Sequence, residues 1–148
     1  MDETSLPPVS IPVSDRTRLE SVVREAVADR HPVAGFLASE LLRAEVFAAH
    51  ELPADTVTLN GWVTYRTDGC WLPESRLLVC PNDYRSAAIH LSVLSPLGAA
   101  LIGLRVGSRI SYRSIAGALH TVVVEGLDAP QSARVRTWAE ELARHPIA

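Results

Sequence analysis

Apolar residues recur every three or four positions in the first third of the chain, which is the spacing of one face of a helix. The first such stretch contains Leu19, Val22, Val23, Ala26 and Val27, and the second contains Val33, Leu37, Leu41, Ala44 and Ala48. A break at residues 29–32 separates them. Because two amphipathic helices joined by so short a turn must lie antiparallel, the pattern predicts a helical hairpin over residues 15–52. Arms of about 15 residues are roughly 23 Å long.

After Pro53 the periodicity becomes that of strands, with apolar and polar residues in alternation. Five short strands joined by short connections predict a compact, largely antiparallel sheet, around residues 57–65, 76–80, 89–93, 109–113 and 120–124. Residues 95–103 interrupt the strands as a short helix, with Ser95 at the N-cap and Pro96 in the first turn. A helix this short must dock on the sheet, through Leu101 and Ile102.

The two ends of the chain differ from this central part. Residues 1–14 contain three prolines and predict an extended, mobile tail. Residues 128–148 form an extension with a third helical pattern, whose apolar face contains Val135, Trp138, Ala139 and Leu142. The predicted fold class is therefore α+β: an N-terminal antiparallel helical hairpin, a β-sheet domain with a short helix over residues 53–127, and a C-terminal helix.

Composition narrows the class of protein. A chain of 148 residues with 47% apolar content buries enough surface to fold without a metal or a disulfide. Cys70 and Cys80 lack the CxxC spacing of a zinc site or redox pair, and we expect reduced thiols with packing roles. No stretch approaches the roughly 20 apolar residues of a membrane helix. The acidic first residues are followed by no apolar signal region, which predicts a cytoplasmic protein.

The charge pattern points to a protein partner rather than to nucleic acid. The net charge is −3, every basic residue is an arginine, and no basic run forms the footprint that neutralises the phosphates of duplex DNA. Arg109 and Arg113 share one strand face with Ser111 and form a candidate contact surface for an acidic partner. The same pattern also fits the wet side of a half-buried sheet.

Motifs for catalysis are missing from the sequence. It has no P-loop, no GxGxxG after a strand, no HExxH and no GxSxG. The five histidines are scattered, and none has a His, Cys or carboxylate at ligand spacing. We therefore expect no catalytic residue, no metal site and no cofactor.

Three segments carry a resemblance to a known family: residues 52–60 (LPADTVTLN), 89–94 (IHLSVL) and above all 95–107 (SPLGAALIGLRVG). They resemble the Rnk family, called regulators of nucleoside diphosphate kinase, which is related to the transcript-cleavage factors GreA and GreB. The resemblance implies a coiled-coil hairpin followed by an FKBP-like domain that docks on the coiled-coil rim of the secondary channel of bacterial RNA polymerase. Ser95, Pro96, Leu97 and Gly98 are then the expected contact residues, with outward-pointing N–H groups at the helix start and Leu97 as an exposed apolar knob.

The hairpin distinguishes this chain from the cleavage factors that the resemblance brings in. Those factors present an acidic pair at the tip of a long hairpin to a catalytic magnesium ion, a hard cation that prefers carboxylate oxygens. Here the hairpin is short, and its tip holds Glu25 and Asp29 beside Arg30 and His31. We therefore predict a non-enzymatic regulator that binds polymerase without stimulating cleavage.

Two alternatives stay open. The first is an active cleavage factor that uses Glu25 and Asp29, and the second is an FKBP-like prolyl isomerase. Ser108 stands where relatives usually carry aspartate. We expect this replacement of aspartate by serine to loosen a turn or to remove a partner contact. The helix around Trp138 either covers the sheet or forms a dimer contact.

Overall fold

The computed structural model describes residues 6–130, which form three α-helices and seven strands. The N-terminal part consists of β1 (Ser10–Pro12), α1 (Val13–Ala28), α2 (Ala34–Arg43) and β2 (Glu45–Phe47). The remainder consists of β3 (Trp62–Thr67), β4 (Glu74–Val79), β5 (His90–Ser92), α3 (Pro96–Leu101), β6 (Arg109–Arg113) and β7 (Leu119–Gly126). Within residues 6–130, no helix has the length and apolar content to cross a membrane. The predicted C-terminal helix lies outside the described residues.

The segment before α1 is a buried strand. Strand β1 pairs in parallel with β2, so that Ser10 lies opposite Glu45, and the side chains of Val9 and Ile11 are buried in the core. The prediction of a mobile tail over residues 1–14 is therefore wrong for residues 9–14, because β1 leads directly into α1. The partner strand lies more than thirty residues away in the chain, and local pattern reveals no such pairing.

The two N-terminal helices contact each other, but the second is shorter than predicted. Helix α1 ends in a turn in which Arg30 has a φ of 54° and the His31 N–H donates to the Ala26 carbonyl at 2.8 Å. Helix α2 has 10 residues, which is about 15 Å. The predicted helical boundary at residue 52 is wrong, because Ala44 is extended and the chain continues as β2.

The five-stranded sheet is mixed, with the order β5-β4-β3-β7-β6. Three of its four pairings are antiparallel, as predicted, but β4 and β5 run parallel. The ten-residue connection between them crosses over instead of forming a tight turn. Val57 and Leu59 are buried as expected of core residues, but they lie outside the strands that form the sheet.

A single hydrophobic core joins the N-terminal helices to the sheet. Leu19 and Leu37 from the helices are fully buried together with Val63, Leu101 and Val122 from the sheet and α3. At the same junction, the buried Asp15 carboxylate accepts a hydrogen bond of 2.9 Å from the Leu59 N–H. Residues 15–52 and 53–127, predicted as separate units, thus share their interior.

Asp15 makes the stability of this junction depend on pH. Burial raises the pKa of Asp15 above its usual value of 3.8, against the lowering effects of the Leu59 N–H and of Arg18. The folded state therefore holds this proton more tightly than the unfolded chain, and the contribution of Asp15 to stability falls as pH rises through the folded pKa.

We expect Asp15→Asn, which keeps an acceptor for Leu59 without the charge, to lose stability relative to the natural chain as pH is lowered from 7 towards 4. Urea unfolding at both pH values measures this difference. Asp15→Ala leaves the Leu59 N–H without a partner and should cost about 1–3 kcal/mol at pH 7. A difference between the natural chain and Asp15→Asn that does not change with pH contradicts the assignment.

Candidate functional site

The start of α3 is held by a serine cap. The Ser95 hydroxyl accepts a hydrogen bond from the Gly98 N–H at 3.0 Å and donates to the Ser92 carbonyl at 2.6 Å, while Pro96 occupies the first turn. The expected cap is therefore confirmed. At Ser95 and Pro96 the expected outward-pointing N–H groups are not found, because the Ser95 N–H donates to the Ser92 carbonyl and Pro96 has no N–H.

Of the four expected contact residues, three reach the surface and one does not. Ser95, Pro96 and Leu97 are half-buried, and Leu97 packs against the core instead of standing free as a knob. Gly98 is buried, and a Cβ at this position would lie 2.0 Å from the Ser92 carbonyl oxygen. Gly98 therefore allows the close approach of α3 to the chain before it and is not available to a partner.

Pro96 lines two open grooves. The first, which we call the edge groove, has a volume of about 480 Å³ and lies between the start of α2 and strand β6. Its lining includes Pro32, Val33, Phe36, Pro96, Arg113 and Ile115. The second, the loop groove, has a volume of about 450 Å³, and its lining includes Leu91, Ser95, Pro96, Leu97, Ile115 and His120. Pro96 and Ile115 line both grooves, so the α3 start and the β6–β7 connection border one larger concave surface.

The β6–β7 connection and the first residue of β7 add apolar side chains that the sequence pattern did not predict. Ile115 is 65% exposed and Leu119 is 61% exposed, and both line the edge groove. Nearby, the Tyr112 ring stacks on His120 with a centroid distance of 5.5 Å. The only signal in the sequence was an isoleucine inside a short polar turn, Ser114-Ile115-Ala116-Gly117, where an apolar residue has no core to fill.

The two arginines of β6 lie on one exposed face, as their alternation with the buried Ile110 predicted. Arg113 lines the edge groove, and its Nη1 donates to the Gly117 carbonyl at 3.1 Å. Arg109 lies four residues earlier in the strand, about 13 Å away at the rise of an extended chain. The structure therefore places Arg113 beside the α3 start and leaves Arg109 at the far end of β6.

The tip of the helical segment faces a different part of the molecule. Glu25, Asp29 and His31 line a small cavity of about 180 Å³ against Cys80 and the residues that follow it, while Arg30 is exposed. The His31 Nδ1 accepts a hydrogen bond from the Val33 N–H at 3.1 Å. Across residues 6–130, no group of three or more His, Cys, Asp or Glu side chains is arranged to hold a metal ion.

The two cysteines are free thiols, as expected. Burial raises the pKa of the Cys80 thiol, and Asp83 and Asp15 add to the effect, so this side chain favours its neutral form. Cys70 is exposed in the β3–β4 connection, where its sulfur accepts a hydrogen bond from the Thr67 hydroxyl. The packing role predicted for Cys70 is therefore wrong.

Two family models match this chain, one over its N-terminal part and one over the part that contains the five-stranded sheet. The family described as the C-terminal domain of the transcription elongation factors GreA and GreB matches residues 52–126, and the Rnk N-terminus matches residues 7–46. The regulator of nucleoside diphosphate kinase of Escherichia coli K12 is 35% identical over 130 residues, which is 87% of this chain and 96% of that protein. The regulator of the same name in Shigella flexneri gives the same values.

A solved structure shows the same architecture. The prokaryotic transcription elongation factor GreA/GreB from Nitrosomonas europaea matches with a TM-score of 0.66 at 30% sequence identity. The match covers 82% of this chain and 99% of that chain.

Proposed function

The chain belongs to the Rnk family, with a GreA/GreB-type C-terminal part, and is a transcription-related regulator; we propose that it acts by binding RNA polymerase at the rim of the secondary channel. In this proposal the partner is the coiled coil that forms the rim. The regulator acts as a cytoplasmic protein that competes with other channel-binding factors and recognises no nucleic-acid sequence.

The surface around the α3 start carries the proposal. Pro96 and Leu97 are partly exposed between two grooves, and the apolar side chains of Ile115 and Leu119 project beside them. Apolar groups that stay exposed around a concave surface are typical of a protein-binding site. A helical partner that buried them would gain roughly 1.5–3 kcal/mol for each side chain fully removed from water.

The helical segment supports a regulator that does not stimulate cleavage. Helix α1 has 16 residues and is about 24 Å long. The shared core joins it to the sheet, and the hydrogen bond between Asp15 and Leu59 joins it to the segment before β3. Glu25 and Asp29 are exposed, and both line a small cavity against the residues that follow β4. In this proposal the segment is too short to carry a magnesium ion held by Glu25 and Asp29 into a distant catalytic centre.

Binding to purified core RNA polymerase tests the proposed surface. We expect Ile115→Asp and Leu119→Asp to weaken binding by about tenfold or more, since a buried apolar contact at an interface centre is commonly worth more than about 1.4 kcal/mol. Pro96→Asp should do the same. Leu97→Asp is less informative, because Leu97 packs against the core.

Leu42→Asp is the matched control, because Leu42 is 85% exposed on α2 and lines neither groove. Its affinity should equal that of the natural chain. Equal binding by all the variants would show that the contact lies outside the surface around the α3 start. If the natural chain does not bind, polymerase is excluded as the partner.

Two activity assays separate this proposal from its alternatives. With backtracked transcription complexes we expect no stimulation of cleavage; stimulation that disappears in Glu25→Ala with Asp29→Ala would establish a cleavage factor instead. With a proline-containing peptide we expect no acceleration of cis–trans isomerisation. Acceleration that Tyr112→Ala abolishes would favour the prolyl isomerase, whose site needs an aromatic-lined pocket.

A further inference from the structure

Within residues 6–130, strand β6 is an open edge of the five-stranded sheet. Among the described strands it pairs with β7 alone. The Ser114 N–H donates to the Ala118 carbonyl at 2.9 Å and the Val124 N–H to the Ser108 carbonyl at 3.0 Å, which fixes the register. In an antiparallel pair, alternate residues bond to the partner strand. The main-chain groups of Arg109, Ser111 and Arg113 therefore point away from β7, towards the free edge.

The edge groove runs beside this free edge. Ser111 and Arg113 line its strand side, and Pro32, Val33 and Phe36 line the opposite, helical side. A trench between an edge strand and a helix is the geometry in which domains bind an extended peptide by strand addition. The volume of about 480 Å³ accommodates several residues of such a peptide.

We infer that the edge groove binds an extended segment of a partner protein, added to β6 as a sixth strand, in which acidic and apolar residues alternate. Successive side chains of an added strand point to opposite faces of the sheet. On the outer face they would lie beside Arg109 and Arg113, which are exposed and favour carboxylates. On the inner face they would meet the apolar wall formed by Val33, Phe36 and Pro96.

Charge argues against a second copy of this chain as the occupant. If two β6 strands paired antiparallel about Ser111, Arg109 of each would lie directly opposite Arg113 of the other. Like charges placed opposite each other on neighbouring strands destabilise the pairing, and edge strands commonly use charges to prevent self-association. Pro96 lines the edge groove and also belongs to the proposed polymerase surface. The inference nevertheless has its own test, because it concerns the main-chain edge of β6 and is measured with a peptide.

The test uses the full chain and a capped six-residue peptide with the sequence Asp-Val-Asp-Val-Asp-Val, with binding measured by calorimetry. Two further peptides carry N-methyl groups either on all three Asp amides or on all three Val amides. In antiparallel addition, the residues whose N–H groups face β6 share a face with Arg109 and Arg113, and these are the Asp residues. We expect N-methylation of the Asp amides to weaken binding about tenfold or more relative to N-methylation of the Val amides.

If N-methylation of the Val amides weakens binding more than N-methylation of the Asp amides, the peptide adds to β6 in the parallel direction, which also supports strand addition. Equal affinities of the two N-methylated peptides, or no binding of the unmodified peptide, would overturn the inference. Dimerisation of the free chain through β6, measured by sedimentation, would assign the edge to a second copy and overturn it as well.

Protein variants locate the site. Arg113→Glu should lower the affinity for the acidic peptide about tenfold. The same variant should bind a peptide with Lys in place of Asp more tightly than the natural chain binds it. Arg85→Glu makes the same charge change away from the edge groove and should change neither affinity. If Arg85→Glu changes the peptide affinities as much as Arg113→Glu does, the effect arises from net charge and the site is not in the edge groove. Failure here leaves the polymerase proposal standing, because that proposal is measured with polymerase itself.

Discussion

Replacing Arg43 with alanine is expected to lower the free energy of unfolding by about 3–5 kcal/mol. The Glu40 side chain is only 3% exposed, and its two carboxylate oxygens accept hydrogen bonds from Arg43 Nε and Nη2, the shortest at 2.7 Å. The third nitrogen of Arg43 donates to the Pro7 carbonyl. The substitution therefore leaves a buried carboxylate unpaired and also releases the segment that leads into β1.

Urea unfolding at pH 7 measures the effect of Arg43→Ala. Arg16→Ala is the matched control, because Arg16 pairs with Glu20 at 2.8 Å on the exposed side of α1 and should contribute less than about 1 kcal/mol. If the cost at Arg43 arises from the unpaired charge, the double variant Arg43→Met with Glu40→Leu should regain most of the loss. A loss at Arg43 no larger than that at Arg16 would contradict this account.

Gly98→Ala is the second substitution expected to have a large effect, with a cost of about 3 kcal/mol or more. The added Cβ would lie 2.0 Å from the Ser92 carbonyl oxygen, which already accepts hydrogen bonds from the Ser95 hydroxyl and N–H. Because the obstacle is main chain rather than a flexible side chain, α3 must move away from the sheet to relieve the clash.

Thermal unfolding of Gly98→Ala and Gly35→Ala gives a direct comparison, since both place alanine in a helix. An added Cβ at Gly35 meets nothing within 4 Å, and Gly35→Ala should stabilise the chain by about 0.5–1 kcal/mol. Similar midpoints for the two variants would show that the chain around Ser92 yields easily.

The sequence predicted the features that depend on neighbouring residues. Ser95 and Pro96 were identified as a helix start from local chemistry alone, and the structure confirms the cap and the burial of Leu101 and Ile102. The alternation of Arg109 and Arg113 with Ile110 predicted their exposed face. In these cases the deciding interactions lie within a few positions along the chain, where residue preferences are strongest.

Features that depend on distant residues were not predictable in this way. Nothing near Ser10 indicates that it lies opposite Glu45, and nothing near Asp15 indicates its hydrogen bond to Leu59, forty-four positions away. The same holds for the candidate site. The resemblance implied a contact role for Gly98, but the close approach of the Ser92 carbonyl, which buries it, follows from how α3 packs on β5. The edge groove exists only because α2 folds back beside β6.

The shared interior constrains how this chain and its relatives can exchange parts by recombination. A crossover between residues 46 and 52 would fall between the two segments that match family models, and it would interrupt neither of them. A transplanted N-terminal half, however, must supply a carboxylate in register with the Leu59 amide and side chains shaped for the receiving sheet. Hybrids should therefore fold and function mainly when the core residues that the N-terminal half of one parent supplies match those that the other parent's sheet requires.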